Sequence, residues 1–493
     1  MKKIFSLFLV FSFLFFSSCI KDDPNNPDNI TLPDGFSSVS LTETGYSLTY
    51  GGSGNNDDEL VSGMVADNSG NVYVSINITD ASANKDVIVV RVSADGTLGW
   101  AQRYDGGKND WSPDSGENAE TGGAANSISM DSEGNLYVIM TTTQSSLSQS
   151  ALILKISSTD GSIIWQKMWK PEWPTGTPTA SQDNQGYGID ATGDYVYFTG
   201  ATGTNKVIVC ALNKSDGSIF FQSTLDIVPG TKDRGYAIKA DNSGNLFVVG
   251  VDGSTGYFAK IIDANTSTPA LAWVKNAGLS YAARINGIDI DASGVYFSCD
   301  IRGVETYFQT MKVDFDGNLQ WAKIFPGHYE DRNNTHVVKL SGDYLYAGGR
   351  ISEEELDKQH GDGLVVKMSK TDGSLVWSGI YYTGNNSEES AEHRVKGIAV
   401  VGDEVYVAGQ VYGSVDNIDN FNGVWIENPD LTLQDASVSI SAISTAVFEL
   451  TPSGEVRDGE GSFSANTSVL QNATDKTTDN PPDGDAFMMK IKL

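Results

Sequence analysis

An all-β ring of seven four-stranded antiparallel blades, a seven-bladed β-propeller closed by its own N-terminal strand, is the architecture this sequence predicts. Three observations predict it. The stretch Gly63-Met64-Val65-Ala66-Asp67-Asn68-Ser69-Gly70-Asn71-Val72-Tyr73-Val74 has cognates beginning near Ser127, Tyr187, Tyr236, Gly287, His336 and Gly397, seven copies in all. Six copies are followed by a second apolar run, a turn and an aromatic residue, at Trp100, Trp165, Phe220, Trp273, Trp321 and Trp377. Steps of roughly 50 to 65 residues between copies mark a repeat architecture, and no segment beyond the leader keeps a helical period.

The first copy shows why each unit is a four-stranded sheet. Gly63 to Ala66 is strand A, and Val72 to Ile76 is strand B. Val87 to Val92 is strand C, and Leu98 to Tyr104 is strand D. β-Branched and aromatic residues fill these runs, which suits a pleated surface packed on its neighbours. Asp, Asn, Ser and Gly fill the turns between them, where they tolerate positive φ or bond their own backbone. Four-stranded sheets repeated around an axis are propeller blades.

The seventh unit is split between the chain ends. Gly397 to Gly409 supplies strands A and B, and Asp485 to Ile491 matches the strand C pattern of Asp86 to Val92. The chain then ends without a strand D. The missing strand is expected at Tyr46-Ser47-Leu48-Thr49-Tyr50, which matches Trp100 to Tyr104, so that N- and C-terminal strands pair and leave no open ring edge. An insertion at about 412–484 then separates strands B and C. Within it, Ala446 to Leu450 and Thr451 to Gly454 read as a hairpin; an alternative register makes that hairpin strands C and D of the last blade.

Tyr50-Gly51-Gly52-Ser53-Gly54 followed by Gly63 to Val74 resembles the usual unit of the bacterial beta-propeller repeat family. The Asp-Gly-x-x-x-Trp element is also similar to that of quinoprotein-like propellers. The resemblance spans about residues 45 to 410 plus the C-terminal strand. It implies the fold and says almost nothing of chemistry, because propellers serve as binding modules and as enzymes.

Residues 1–18 are read as a lipoprotein signal peptide. Lys2 and Lys3 precede the apolar run Ile4 to Phe16, which is too short for a spanning helix of about 20 residues. Leu14-Phe15-Phe16-Ser17-Ser18-Cys19 resembles a bacterial lipobox, with Phe16 departing from the usual leucine. The resemblance implies lipidation at Cys19. The following Ile20-Lys21-Asp22-Asp23 resembles the surface-export signal of Bacteroidetes-type lipoproteins, implying an outer-membrane protein facing the cell exterior. Residues 19–35, rich in Pro, Asn and Asp, read as a flexible tether, and 36–493 as the propeller.

The 493 residues carry a formal net charge of −30, which excludes nucleic acid as an expected partner. Cys210 and Cys299 lie in apolar strand-like runs and read as buried free thiols.

Antiparallel alternation puts the A–B and C–D turns at one end of every blade and the B–C and D–A connections at the other. The first set is short and stereotyped. The second is long and irregular, as in Asp105 to Ala125, Lys170 to Gly186 and Gly384 to Val395, and function concentrates on such loops. All four histidines, His328, His336, His360 and His393, fall there. The candidate ligand-binding residues are therefore His336, His393, Arg394, Arg284, Arg234, Tyr329, Arg332 and Trp111. Trp169 and Trp173 share that face, where aromatics stack on sugars or pack under loops.

The expected function is binding of an extracellular ligand, a glycan or a cell-surface protein. One alternative is a carbohydrate-active enzyme, a polysaccharide lyase or glycoside hydrolase, using the loop face of blades five to seven. Imidazole, arginine and tyrosine together suit proton abstraction beside a carboxylate. A second alternative is a structural subunit of an envelope assembly, docked through the insertion. No metal and no cofactor is expected: the Asp-x-Ser-Gly-Asn turns lack the terminal glutamate of a calcium loop, and no phosphate loop, Gly-x-Ser-x-Gly or His-Glu-x-x-His occurs.

Overall fold

The structure is a computed structural model. It describes residues 37–39, 46–50, 59–79, 85–105, 110–111, 126–145, 148–171, 184–253, 255–278, 282–302, 307–326, 333–351, 362–383, 393–412, 423–427, 433–450, 454–457, 464–467 and 484–492. All lie in the compact unit Leu32–Leu493. The leader, Cys19 and the tether fall outside the described residues.

Seven antiparallel sheets form the seven blades, and the described residues contain no helix. Blade one is Leu60–Ala66, Val72–Thr79, Lys85–Val92 and Leu98–Asp105, in the order A-B-C-D. Strands A of neighbouring blades contact one another around the ring, and strand A of blade seven (His393–Val401) meets that of blade one. Blade seven is completed by Glu404–Tyr412, the C-terminal Gly484–Lys492 and the N-terminal Tyr46–Tyr50. Tyr46 pairs with Lys490 and Tyr50 with Ala486, so the two chain ends close the ring as the sequence predicts.

Continuous apolar strands follow from this arrangement. A blade is buried on both faces, and successive side chains point to opposite faces. In strand C of blade one, Val87 and Val89 pack toward blade two, while Ile88, Val90 and Val92 pack toward blade seven. Such clusters fill every junction between neighbouring blades. Each fully buried Val, Leu or Ile contributes roughly 1.5–3 kcal/mol, so the core is the sum of these junctions rather than one central mass.

Two polar devices join the blades at the A–B end. The strand D tryptophans Trp100, Trp165 and Trp321 each donate Nε1–H to a turn carbonyl of the next blade, Ser158, Lys214 and Lys370, at 3.0–3.1 Å. In blade three the register puts Phe221 rather than Phe220 at this place, opposite Ala211. A strand C lysine opposite the tryptophan lies over the strand B aromatic of its own blade: Lys155 over Tyr137, Lys260 over Phe247, Lys312 over Tyr296. Each then donates to a carbonyl of the following blade. The repeated aromatics are thus structural rivets, and a tightly packed indole with a bonded N–H is worth more than its area.

The described residues between Tyr412 and Gly484 form short strands along the outer edges of six blades. Gly423–Glu427 adds a fifth strand beside strand D of blade six. Gln434–Asp435, Ser441–Ala442, Val447–Leu450, Gly454–Arg457 and Ser464–Thr467 then do the same for blades five, four, three, two and one in turn. The stretch expected to form a hairpin does not: Val447–Leu450 and Gly454–Arg457 pair with different blades, each satisfying its backbone groups on the open edge of a strand D. Ala436, Val438, Ile440, Ile443, Ala446 and Phe448 lie against the outer ends of the blade cores. Covering the D edges removes the templates on which sheets aggregate. Ser37–Val39 adds outside Gly423–Glu427 on blade six.

Candidate functional site

Strand A of six blades carries a β-bulge at one register, and this decides what reaches the axis. The extra residues are Ser62, Tyr187, Tyr236, Asn286, His336 and Lys396, and each is buried. Asn126 holds the same place in blade two, four residues N-terminal to Met130. A bulge re-aims a side chain and kinks its strand. Glycine opposite the bulge makes room: a Cβ at Gly200, Gly250 or Gly409 would stand 1.9 Å from the carbonyl oxygen of Gln185, Arg234 or Arg394. Asn126 donates its amide to the backbone oxygen of Asn286 at 3.3 Å, joining blades two and five from opposite sides of the ring. Asn286 in turn donates to Thr335 O at 3.1 Å. These bonds cross the axis between the two ends of the ring.

At the B–C and D–A end the structure brings some expected residues together and separates others. Arg234 and Arg284 converge on Tyr187, whose ring meets Tyr236 edge-on at 5.6 Å. Burial raises the Tyr187 phenol against the opposing pull of both guanidiniums. His336 is the bulge residue of blade six and is fully buried. His393 is 2 % exposed and lies 5.9 Å from the Tyr381 ring, itself stacked on Phe487 at 4.8 Å in the junction of blades six and seven. Arg394 is half-buried, opposite Gln410. Tyr329, Arg332, His328, His360 and Trp173 lie outside the described residues, as does the side chain of Trp111. Trp169 is core: it is 1 % exposed and donates to Gln222 Oε1 at 3.1 Å.

At the A–B end the closing residues of the seven strands A line a cavity of about 320 Å³. Its wall is one repeat position, facing Tyr73, Tyr137, Tyr197, Phe247, Tyr296, Tyr346 and Tyr406 of strand B in turn: Val65, Ser129, Asp190, Lys239, Asp289, Lys339 and Ala399. Acid and amine alternate through blades three to six. Asp190 Oδ1 accepts from Lys239 Nζ at 2.8 Å, and its Oδ2 accepts from the Ala240 N–H at 3.0 Å. Asp289 Oδ2 accepts from the Leu340 N–H at 2.8 Å, with Lys339 Nζ at 3.7 Å. Ser129 Oγ accepts from the Ala191 N–H in the same way, at 3.1 Å. Burial works to lower the Lys239 amine, but Asp190 and Asp289 outweigh it and raise the amine above its ordinary value. Sequence reasoning missed this ring, although its signal is present: Asp190 and Asp289 alternate with Lys239 and Lys339 at one repeat position.

Two other polar groupings have structural explanations. In the Asp-x-Ser-Gly-Asn turns, Asp67 Oδ1 accepts from the Ser69 and Asn71 N–H groups, both at 2.9 Å, and Asp241 does the same at 2.8 Å. Asp86, Asp105 and Asp110 bring three carboxylates within 4.8 Å of one another. Arg103 is bonded to Asp86 Oδ2, and burial pushes the Asp86 carboxyl up to about 7 against that pull. Cys210 and Cys299 are buried free thiols, and burial pushes Cys210 up to about 12.

No protein-family model matches this chain, and no curated protein does. Solved structures do. A protein of unknown function from Dyadobacter fermentans is 7% identical, with a TM-score of 0.40 over 82% of this chain and 100% of the other. Proteins titled putative 6-phosphogluconolactonases, from Bacteroides uniformis and Bacteroides fragilis, are 13% and 11% identical. Their TM-scores are 0.42 and 0.39, over 78% and 82% of this chain and 100% and 98% of theirs. At this distance the likeness concerns the fold alone.

Proposed function

We propose that this β-propeller is a surface-anchored binding protein, tethered by a lipid on Cys19, that holds an extracellular ligand at one end of its axis. The ligand class is a glycan or another cell-surface protein. One observation carries the binding reading: seven strands A converge on a polar cavity that takes in Asn126, whose amide reaches across the ring to Asn286 O. Pockets of this kind, a scaffold-walled recess with few convergent polar groups, are the usual seats of small ligands. Binding is favoured over turnover because His336 and His393, the bases an acid–base mechanism would draw on, are enclosed in blade packing. The anchor is supported by the leader alone, through Lys2, Lys3, the Ile4 to Phe16 run and Ser17-Ser18-Cys19.

A glycan array probed with the purified full chain, assayed for both retention and product release, tests the ligand. Retention without release is the expected result, and released product in place of retention would replace binding with catalysis. The anchor is tested by metabolic labelling with a fatty acid in the native host. Cys19→Ala is expected to abolish labelling, and undiminished label in that variant would remove the lipid from the account.

A further inference from the structure

The acid–amine ring has a chemical asymmetry that its zero net charge hides. Both carboxylates already accept on each of their two oxygens. Asp190 receives Lys239, the Ala240 N–H and the Thr192 hydroxyl, the last at 2.9 Å. Asp289 receives the Leu340 N–H on Oδ2 and the Ile290 N–H on Oδ1 at 3.1 Å. The amines are not so committed. An ammonium carries three donors. Lys239 spends one on Asp190, and Lys339 sits 3.7 Å from Asp289, beyond hydrogen-bond reach, with its side chain 40% exposed. The hydrogen-bonding capacity left facing the cavity is therefore mainly that of ammonium donors. Around it stand Ser129, Thr192 and the amide of Asn126, groups that pair with hydroxyls, over an apolar base formed by Met64, Ile189 and Ile288.

We propose that the A–B end of the axis is a subsite for a monosaccharide-sized sugar acid, whose carboxylate is taken by Lys339 and Lys239 and whose hydroxyls face Ser129 and Thr192. This deepens the binding reading and rests on it. The volume sits at the low end of small-ligand pockets, about 300–1,000 Å³, which suits one sugar ring and not a long chain. The carboxylate is favoured over a neutral ligand because a bound neutral sugar would cover the two ammonium groups without giving them a charged acceptor, and such loss is where polar sites gain their discrimination. The protein's overall charge of −30 repels anions at long range, so capture depends on contact inside the ring and not on steering. This end is opposite to the loop-rich face on which the sequence centres the histidines.

The test is calorimetric titration of the full chain with glucuronate, with glucose, glucuronate methyl ester and inorganic phosphate run beside it. Glucuronate is expected to bind, glucose and the ester at least tenfold more weakly. Lys339→Gln is expected to weaken glucuronate at least tenfold and Lys339→Arg to retain it; because Lys339 is partly exposed, both variants should fold, which the circular dichroism melt checks. Glucuronate binding unchanged in Lys339→Gln, or phosphate binding as tightly as glucuronate, overturns the proposal. Retention of neutral glycans that Lys339→Gln leaves intact would defeat this subsite while sparing the general binding reading; no retention of any glycan or surface protein would defeat both.

Discussion

Ring closure is the join on which the whole propeller depends, and removing the N-terminal strand tests it directly. A chain beginning at Asn55 lacks Tyr46–Tyr50, which pairs over five residues with Ala486–Lys490. An antiparallel ladder of that length carries about five interstrand backbone bonds, each worth about 0.5–1.5 kcal/mol net. The expected loss is thus about 3–7 kcal/mol, against a typical total of about 5–15 kcal/mol. The loss is not confined to bonds. Gly484–Lys492 becomes an open edge, and its Phe487, Met489 and Ile491 are part of the core between blades six and seven. Urea unfolding followed by tryptophan fluorescence, with sedimentation velocity to detect edge-to-edge association, is the assay. The truncated chain is expected to unfold at markedly lower urea or to associate. A monomeric Asn55 chain with the urea midpoint of one beginning at residue 36 would refute the closure argument.

Three further substitutions probe the axis, a turn and a blade junction. Gly250→Ala places a Cβ 1.9 Å from Arg234 O opposite the bulge, an overpacking expected to cost about 3 kcal/mol. Gly193→Ala, at a φ of 59° with nothing within 4 Å, should cost only the left-handed backbone strain of about 1–2 kcal/mol; equal urea midpoints for the two variants would contradict the tight bulge. Asp86, pushed up to about 7 by burial against the pull of Arg103, favours the folded state in its protonated form. Its contribution is complete below about pH 4 and is lost as pH rises through about 7. Asp86→Asn removes that titration, so the midpoint difference, variant minus wild type, is expected to move in the variant's favour from pH 4 to pH 8. A difference that stays flat, or moves the other way, would show that the carboxyl is ionised throughout.

Blades and turns were legible because they are local. Asp67-Asn68-Ser69-Gly70-Asn71 makes its own bonds, with Gly70 at a φ of 80°, and any chain carrying those residues between two apolar runs will turn there. The outer edge strands were harder to see. These segments, as short as Gln434–Asp435, have weak patterns of their own, and they become strands only beside edges that six finished blades present. The alternation of Ala436, Val438 and Ile440 was the available signal.

The candidate site divides in the same way. Repeat phase put His336 and His393 on the connections that enter strand A, at the axial mouth; both lie instead within strands A and are buried. Whether such a residue faces the axis, the next blade or the solvent depends on a one-residue bulge, since a shift of one residue exchanges the two faces of a strand. The same slip puts His336, Asn286 and Lys396 at one buried bulge position of their blades. Asp190, Lys239, Asp289 and Lys339 are about 50 residues apart in the chain, and nothing local relates them. The sequence by itself determined seven blades, their turns and the joining of the two chain ends, because each rests on short-range pattern and on pairing complementarity. Only the tertiary structure decided which side chains share the axis, because that neighbourhood exists only once seven separate strands are held in register around it.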